Sequence, residues 1–249
     1  MSDSAALAFV LDGPLQSWGV DSRYQQRDTS AFPTKSAIIG LLAAALGIDK
    51  HASDEADRLA PYAALNLTVV RAALDQARPG GRLSDFHTIG GGYDVGVPWQ
   101  RQSTPEKAGG GAFGTVITRR IYLTGSAFIA ILEGQGTVLE TAAAALLDPV
   151  WGGWLGRKAC IPARPFAPTI GPSAQQAFDS LRLRLSLPAA RLELFDRQTQ
   201  PCKGDTSADL FHQPDQPQSF GGRSHLSRPV RYVRGAKPGV AAANMFDAI

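Results

Sequence analysis

Cysteine is scarce in this chain: its 249 residues hold two, Cys160 and Cys202, far apart, with no CxxC spacing and no histidine pair beside either. A disulfide framework and a zinc site are both argued against, and buried or idle thiols are the expectation. Long apolar runs are missing as well. The longest, Ala37 to Ile48, is too short to span a bilayer. Ala5 to Leu11 has Asp3 beside it and no basic flank, unlike a secretory signal, so a cytoplasmic protein is expected. No GxxxxGK[ST] string occurs, which excludes a P-loop, and the triplet Gly90 to Gly92 lacks a strand–helix context for nucleotide binding. The four histidines, His51, His87, His212 and His225, have no obvious paired partner, and no paired-aspartate palm suggests two-metal catalysis. There is no internal repeat, coiled coil or low-complexity tract.

What remains is a globular composition, 44% hydrophobic and 19% charged, long enough for one large domain or two small ones. The 26 glycines and 17 prolines point to many turns rather than a helical bundle. Net charge is only +3, but between Gln216 and Val240 the charged residues are all basic: Arg223, Arg228, Arg231, Arg234 and Lys237. Such a patch can displace counterions from a phosphate backbone; it can equally be a solvated tail.

The pattern along the chain is mixed. Leu7 to Leu11 reads as a buried strand closed by the turn Asp12-Gly13-Pro14. Thr34 is placed to cap a helix from Lys35 to Leu46, with Gly47 as its stop. Leu67 to Ala72 reads as a second strand, and Val116 to Leu123 and Ala127 to Leu132 as two more. Thr137 to Glu140 has the form of a capping box before a helix that ends at Asp148-Pro149. With a closing strand this order is the ferredoxin-like or RRM-like α+β pattern. The final third reads as all-β, with strands at Leu181 to Leu187, where leucines alternate strictly, Arg191 to Arg197 and Pro229 to Arg234, separated by loops between Gln198 and Gln218. From Pro79 to Gly114 apolar periodicity is lost around two glycine triplets, and a connection this long inside a compact domain is usually functional or disordered.

The densest cluster of unusual residues lies between Gly13 and Gly47. Gln16 and Trp18 sit on a glycine-flanked loop, suited to reading and stacking a base, although a lone tryptophan more often plugs a core. At the helix start, free N–H groups, Lys35 and the Ser36 hydroxyl form a candidate phosphate site, although capping alone would explain Thr34.

These residues carry a resemblance. GPLQSWG at Gly13, followed by RDTSAFPTKSAIIGLLAAALGI from Arg27, is similar to the N-terminal signature of the CasD family of CRISPR-associated RAMP proteins. DFHT at Asp85, TRRIYLTGSAF at Thr118, WLGRKAC at Trp154 and SRPVRYV at Ser227 follow in the same order, so the resemblance spans nearly the whole chain. It implies a non-catalytic RNA-binding subunit of a type I-E Cascade complex that caps the 5′ handle of crRNA and helps assemble the complex for target DNA recognition in antiviral defence. It implies a ferredoxin-like palm (residues 1–78 and 115–160), a β-hairpin thumb (79–114) and a β-rich C-terminal region (161–249). The implied RNA contacts are Gln16, Trp18, Arg27, Lys35 and Ser36 around the first helix, and His87, Thr88, Arg101 and Lys107 along the thumb. Arg119 and Arg120 at the thumb's base, Arg157 and Lys158 in a glycine-flanked loop, and Arg228 complete the set. Neither cofactor nor metal is implied. The partners implied are CasC-type backbone subunits, a CasA-type large subunit and, through the complex, target DNA, with no membrane. A metal-independent crRNA-processing endoribonuclease, as in type I-C relatives, is the alternative, and a scaffold that scarcely touches RNA is a third. Two stretches depart from the pattern: Gly125-Ser126 stands where an aspartate is usual. Pro214-Asp215 stands where an Arg-Asp pair is usual, so that pair's contact is expected to be lost.

Overall fold

The first strand explains the layering. In a computed structural model of the chain, which describes residues 4–19, 22–23, 25–72, 80–89, 114–186, 196–207 and 209–235, strand β1 (Ser4–Asp12) is buried from Ala6 onward. Side chains alternate across a strand, so a strand apolar at every position needs cover on both faces. Leu7, Phe9 and Leu11 enter one core and Ala6, Ala8 and Val10 a second. Strand β8 (Ala127–Gln135) divides its side chains in the same way, Phe128, Ala130 and Leu132 against Ala127, Ile129 and Ile131.

Helix α1 (Lys35–Ala45) and helix α3 (Gly136–Leu147) cover the face with the larger side chains. Helix α4 (Ala174–Arg184) covers the other with Ala174, Ala177, Phe178 and Leu181. Around β1 the strands run in the order β5 (Asn66–Ala72), β8, β1, β9 (Thr169–Gly171), each antiparallel to its neighbour. The sheet continues beyond β5 through β10 (Arg197–Thr199), β12 (Ser224–Val233) and β11 (Leu210–Ser219), seven strands in all. A second sheet centres on β7 (Val116–Thr124). It pairs with β6 (Gly81–Ile89) along one edge and with the short strands β2 (Leu15–Gln16) and β4 (Gln26–Arg27) along the other; β3 (Ser22–Arg23) extends β4.

Several expectations are corrected. Leu181 to Leu187 begins as helix: Ala174, Ala177, Phe178 and Leu181 recur at helical spacing, Ser173 caps by accepting from the Gln176 amide at 3.3 Å, and Leu183 points out, 71% exposed. The alternation of leucines was coincidental, and the C-terminal region is not all-β. The stretch taken as loop before Gln218 contains β11, an edge strand that carries Pro214 and Pro217 at register shifts, where proline's missing donor is tolerated. The capping box does not form. β8 runs straight into α3, which starts at Gly136, so Thr137 lies inside the first turn and its carbonyl accepts from Thr141 Oγ1 at 2.8 Å. Helix α2 (Glu55–Ala63) was missed because Pro61 interrupts its pattern near the end. The expectation of Arg191 to Arg197 as a strand lies mostly outside the described residues. Neither cysteine is in a disulfide: Cys160 is buried, and burial pushes its thiol pKa up. Among the described residues, no helix is long and apolar enough to cross a membrane.

Candidate nucleic-acid interface

Two glycine-bearing loops are zipped together beside α1. The Ser17 amide donates to the Leu155 carbonyl at 3.0 Å, and the Ser30 amide donates to the Trp18 carbonyl. Gly156, at φ +96°, lies so close to Ser17 that an added Cβ would stand 1.7 Å from the Ser17 carbonyl oxygen. Only glycine allows both the backbone conformation and the approach. Gln16 and Trp18, both fully buried, brace the first loop from inside. Gln16 Nε2 donates to the carbonyls of Leu11 (3.2 Å) and Ser126 (2.6 Å), while its Oε1 accepts from Trp18 Nε1 at 3.1 Å. The expectation that these two meet RNA is therefore corrected, because the ring that was to stack a base has no accessible face.

On the outer side the loops and α1 enclose a cavity of about 300 Å³ lined by Ser17, Arg27, Gly40, Trp154 and Arg157, among others. Arg27 is exposed, and its guanidinium makes no hydrogen bond or ion pair among the described residues. Arg157 is largely committed to structure. Its Nη1 donates to the Ile121 carbonyl at 3.0 Å and its Nη2 to the Arg27 carbonyl at 2.7 Å, while the guanidinium lies 4.7 Å from the Tyr122 ring centroid. It thus carries positive charge to the cavity wall while pinning β4 to β7. Lys158 is exposed, with its Nζ 5.9 Å from the Trp154 ring centroid. Concave shape, cations and one half-exposed indole are what a phosphate and an unstacked base require together. Trp154 is absent from the contacts expected from sequence; an aromatic two positions before a close-packed glycine is the signal that points to it.

The expected phosphate site at the start of α1 is filled from within the chain. Thr34 Oγ1 accepts from the Ala37 amide at 3.3 Å, and Asp215 Oδ2 accepts from the Lys35 amide at 2.6 Å. Asp215 also accepts from Nε and Nη2 of the Arg228 guanidinium, at 2.7 and 3.1 Å, with both residues buried. Lys35 is only 4% exposed; burial, reinforced by nearby Arg228 and opposed by Asp215, lowers its pKa to about 8. Lys35 and Arg228 thus lock the β11–β12 hairpin onto α1 and do not face solvent. Pro214 offers no side-chain cation where the arginine of the pair is usual, while Asp215 makes these contacts. Ser36 is half-buried, its hydroxyl 3.3 Å from that of Thr34. Of the basic C-terminal stretch, Arg231 pairs with Asp205 at 3.3 Å, while Arg223 and Arg234 are exposed.

The β6–β7 ladder carries the remaining residues. His87 Nδ1 lies 3.7 Å from Asp85 Oδ2, and Arg120, opposite Asp85, donates from Nε to Thr118 Oγ1 at 3.0 Å. Thr88 and Arg119 are exposed. Arg101 and Lys107 lie outside the described residues.

A seven-stranded antiparallel sheet packed on both faces by helices, with a second sheet and a cavity lined by Arg27 and Arg157 beside α1, defines a mixed α+β protein in which no metal cluster is built among the described residues. The model of the CRISPR-associated protein (Cas_Cas5) family matches residues 6–234, and the chain belongs to that family. CRISPR system Cascade subunit CasD of Escherichia coli (strain K12) is 28% identical over 158 residues, which is 62% of this chain and 66% of that protein, just under two thirds of its length. One chain of a solved CRISPR RNA-guided surveillance complex is 30% identical at a TM-score of 0.65, covering 98% of this chain and 95% of that one. A chain described as a crystal structure of Cas protein is 28% identical at a TM-score of 0.58, covering 92% and 94%.

Proposed function

We propose that this chain is the subunit of a type I-E Cascade surveillance complex that binds and caps the 5′ handle of crRNA without cutting it. The observation that carries the reading is the cavity beside α1, where Arg27 and Arg157 stand with Trp154 on a glycine-lined wall. Phosphates set the register there, and an unpaired base stacks on the indole. Family membership and the likeness to a chain of an RNA-guided complex support the same partner. We read β1, β5 and β8 with α1 and α3 as a ferredoxin-like RAMP palm, its fourth strand supplied by β9 from beyond the expected boundary at residue 160. The β6–β7 ladder is then the base of the thumb (79–114), and the β11–β12 hairpin belongs to the C-terminal region (161–249). CasC-type and CasA-type subunits are the protein partners under this reading, the cytoplasm is its site, and it needs no cofactor.

The test uses the full chain and handle RNA. Arg27→Ala combined with Lys158→Ala should weaken handle binding at least about tenfold and flatten its salt dependence by roughly two units, because each lost phosphate contact removes about one. Thermal stability should be unchanged. Unaltered affinity would favour the scaffold reading. The Asp85–His87 pair is the one observation that favours an endoribonuclease: specific cutting of repeat RNA in EDTA, abolished by His87→Ala, would replace our reading with that one.

A further inference from the structure

The register of the second sheet sets three side chains in one row that the cavity does not use. Phe86 on β6 stands opposite Arg119 on β7, and Arg119 stands beside Gln26 on β4. Cross-strand partners share a face, with neighbouring strands about 4.8 Å apart. The row therefore presents an aromatic ring, a guanidinium and an amide side by side. Phe86 is 61% exposed, and Arg119 and Gln26 are exposed as well. None of the three side chains has a hydrogen bond, ion pair or ring contact among the described residues. Two residues along the same face, Thr88 stands opposite Ile117, which is 40% exposed.

We propose that this row is a second, separate RNA subsite, which stacks one unpaired nucleobase on Phe86, holds its phosphate with Arg119 and meets the base edge with Gln26. The inference rests on the RNA-binding reading above and adds to it a location and a class of ligand: a single-stranded nucleotide splayed from its neighbours. An exposed phenylalanine on a strand is costly to leave in water, and sheet-borne aromatics are a recurrent means of stacking bases. Charge complementarity selects the occupant. The apolar area of the row is one ring and one isoleucine, too little for the core of a protein interface. The flanking groups are instead a cation for phosphate and an amide able both to donate to and to accept from a base edge. The sheet gives the row rigidity, since β7 is paired on both edges and the Arg119 amide donates to the Gln25 carbonyl at 2.8 Å.

The experiment titrates the full chain into a short single-stranded oligoadenylate carrying a fluorescent adenine analogue, following both anisotropy and stacking-induced quenching. Phe86→Ala should lower affinity about tenfold or more and relieve the quenching, while Phe86→Trp preserves both. Arg119→Ala should lower affinity and reduce the salt slope by about one unit. Phe86→Ala with wild-type affinity and quenching would overturn the subsite while leaving the cavity reading standing. Failure of the wild-type chain to bind RNA at all would remove both. Phe86→Ala that binds RNA normally but no longer joins the other subunits would assign the row to a protein contact and overturn the proposal as well.

Discussion

Replacing Gly156 by alanine should unzip the two loops that form the cavity. The residue has φ +96°, and its added methyl would stand 1.7 Å from the Ser17 carbonyl oxygen, so the loops must part by at least about 1.3 Å to clear the shortest real contacts. Three costs combine. A non-glycine residue in this backbone region costs roughly 1–3 kcal/mol. Overpacking a fitted contact costs roughly another 1–3 kcal/mol. Separation also breaks the hydrogen bond from the Ser17 amide to the Leu155 carbonyl, worth about 1 kcal/mol. The expected loss is about 3–7 kcal/mol, which for a chain of this size is a fall in Tm of roughly 6–28 °C. Thermal unfolding followed by circular dichroism measures it. Two controls separate the causes: Gly204, at φ +101° with open space around it, reports the backbone cost alone, and Gly19, which meets neither constraint, should be silent. A Gly156→Ala protein that melts within about 2 °C of wild type would refute the argument, as would one that loses no more than Gly204→Ala.

Asp215→Ala should cost about 3–5 kcal/mol in urea unfolding, because it leaves Arg228 and Lys35 buried without their carboxylate; adding Arg228→Met should recover part of that loss, and a strictly additive double variant would count against the lock. Lys35 supplies a pH signature. Its pKa is held at about 8 against 10.5, so between those values the unfolded chain binds more protons than the folded one, and stability rises with pH across that window. Lys35→Met should therefore be more stable than wild type below pH 8, with the difference vanishing above pH 10.5, as denaturant midpoints at several pH values will show.

The buried strands and α1 were legible because their cause is local: a run apolar at every position, too short for a helix and closed by the Asp12-Gly13-Pro14 turn, reads as a strand covered on both sides, and Thr34, helical spacing and Gly47 bracket a helix within one stretch of chain. The family was legible for a related reason, since ordered motifs survive without knowledge of who touches whom. Failures came where the deciding partner is distant. The leucines from Leu181 satisfy two periodicities, and the empty apolar face of β1 and β8 decided for helix. Pro214 and Pro217 read as loop until an edge position made them tolerable in a strand. The site divided along the same line. Residue types announced a basic, aromatic surface, but accessibility is a tertiary property. Burial removed Gln16, Trp18, Lys35 and Arg228 from that surface, and Asp215, 180 residues from Lys35, occupied the helix terminus that looked ready for phosphate. The sequence by itself determined which chemistry the chain can offer. Only folding, by spending some of those groups on its own backbone and core, decided that Arg27, Trp154, Lys158 and the row at Phe86 are what it presents.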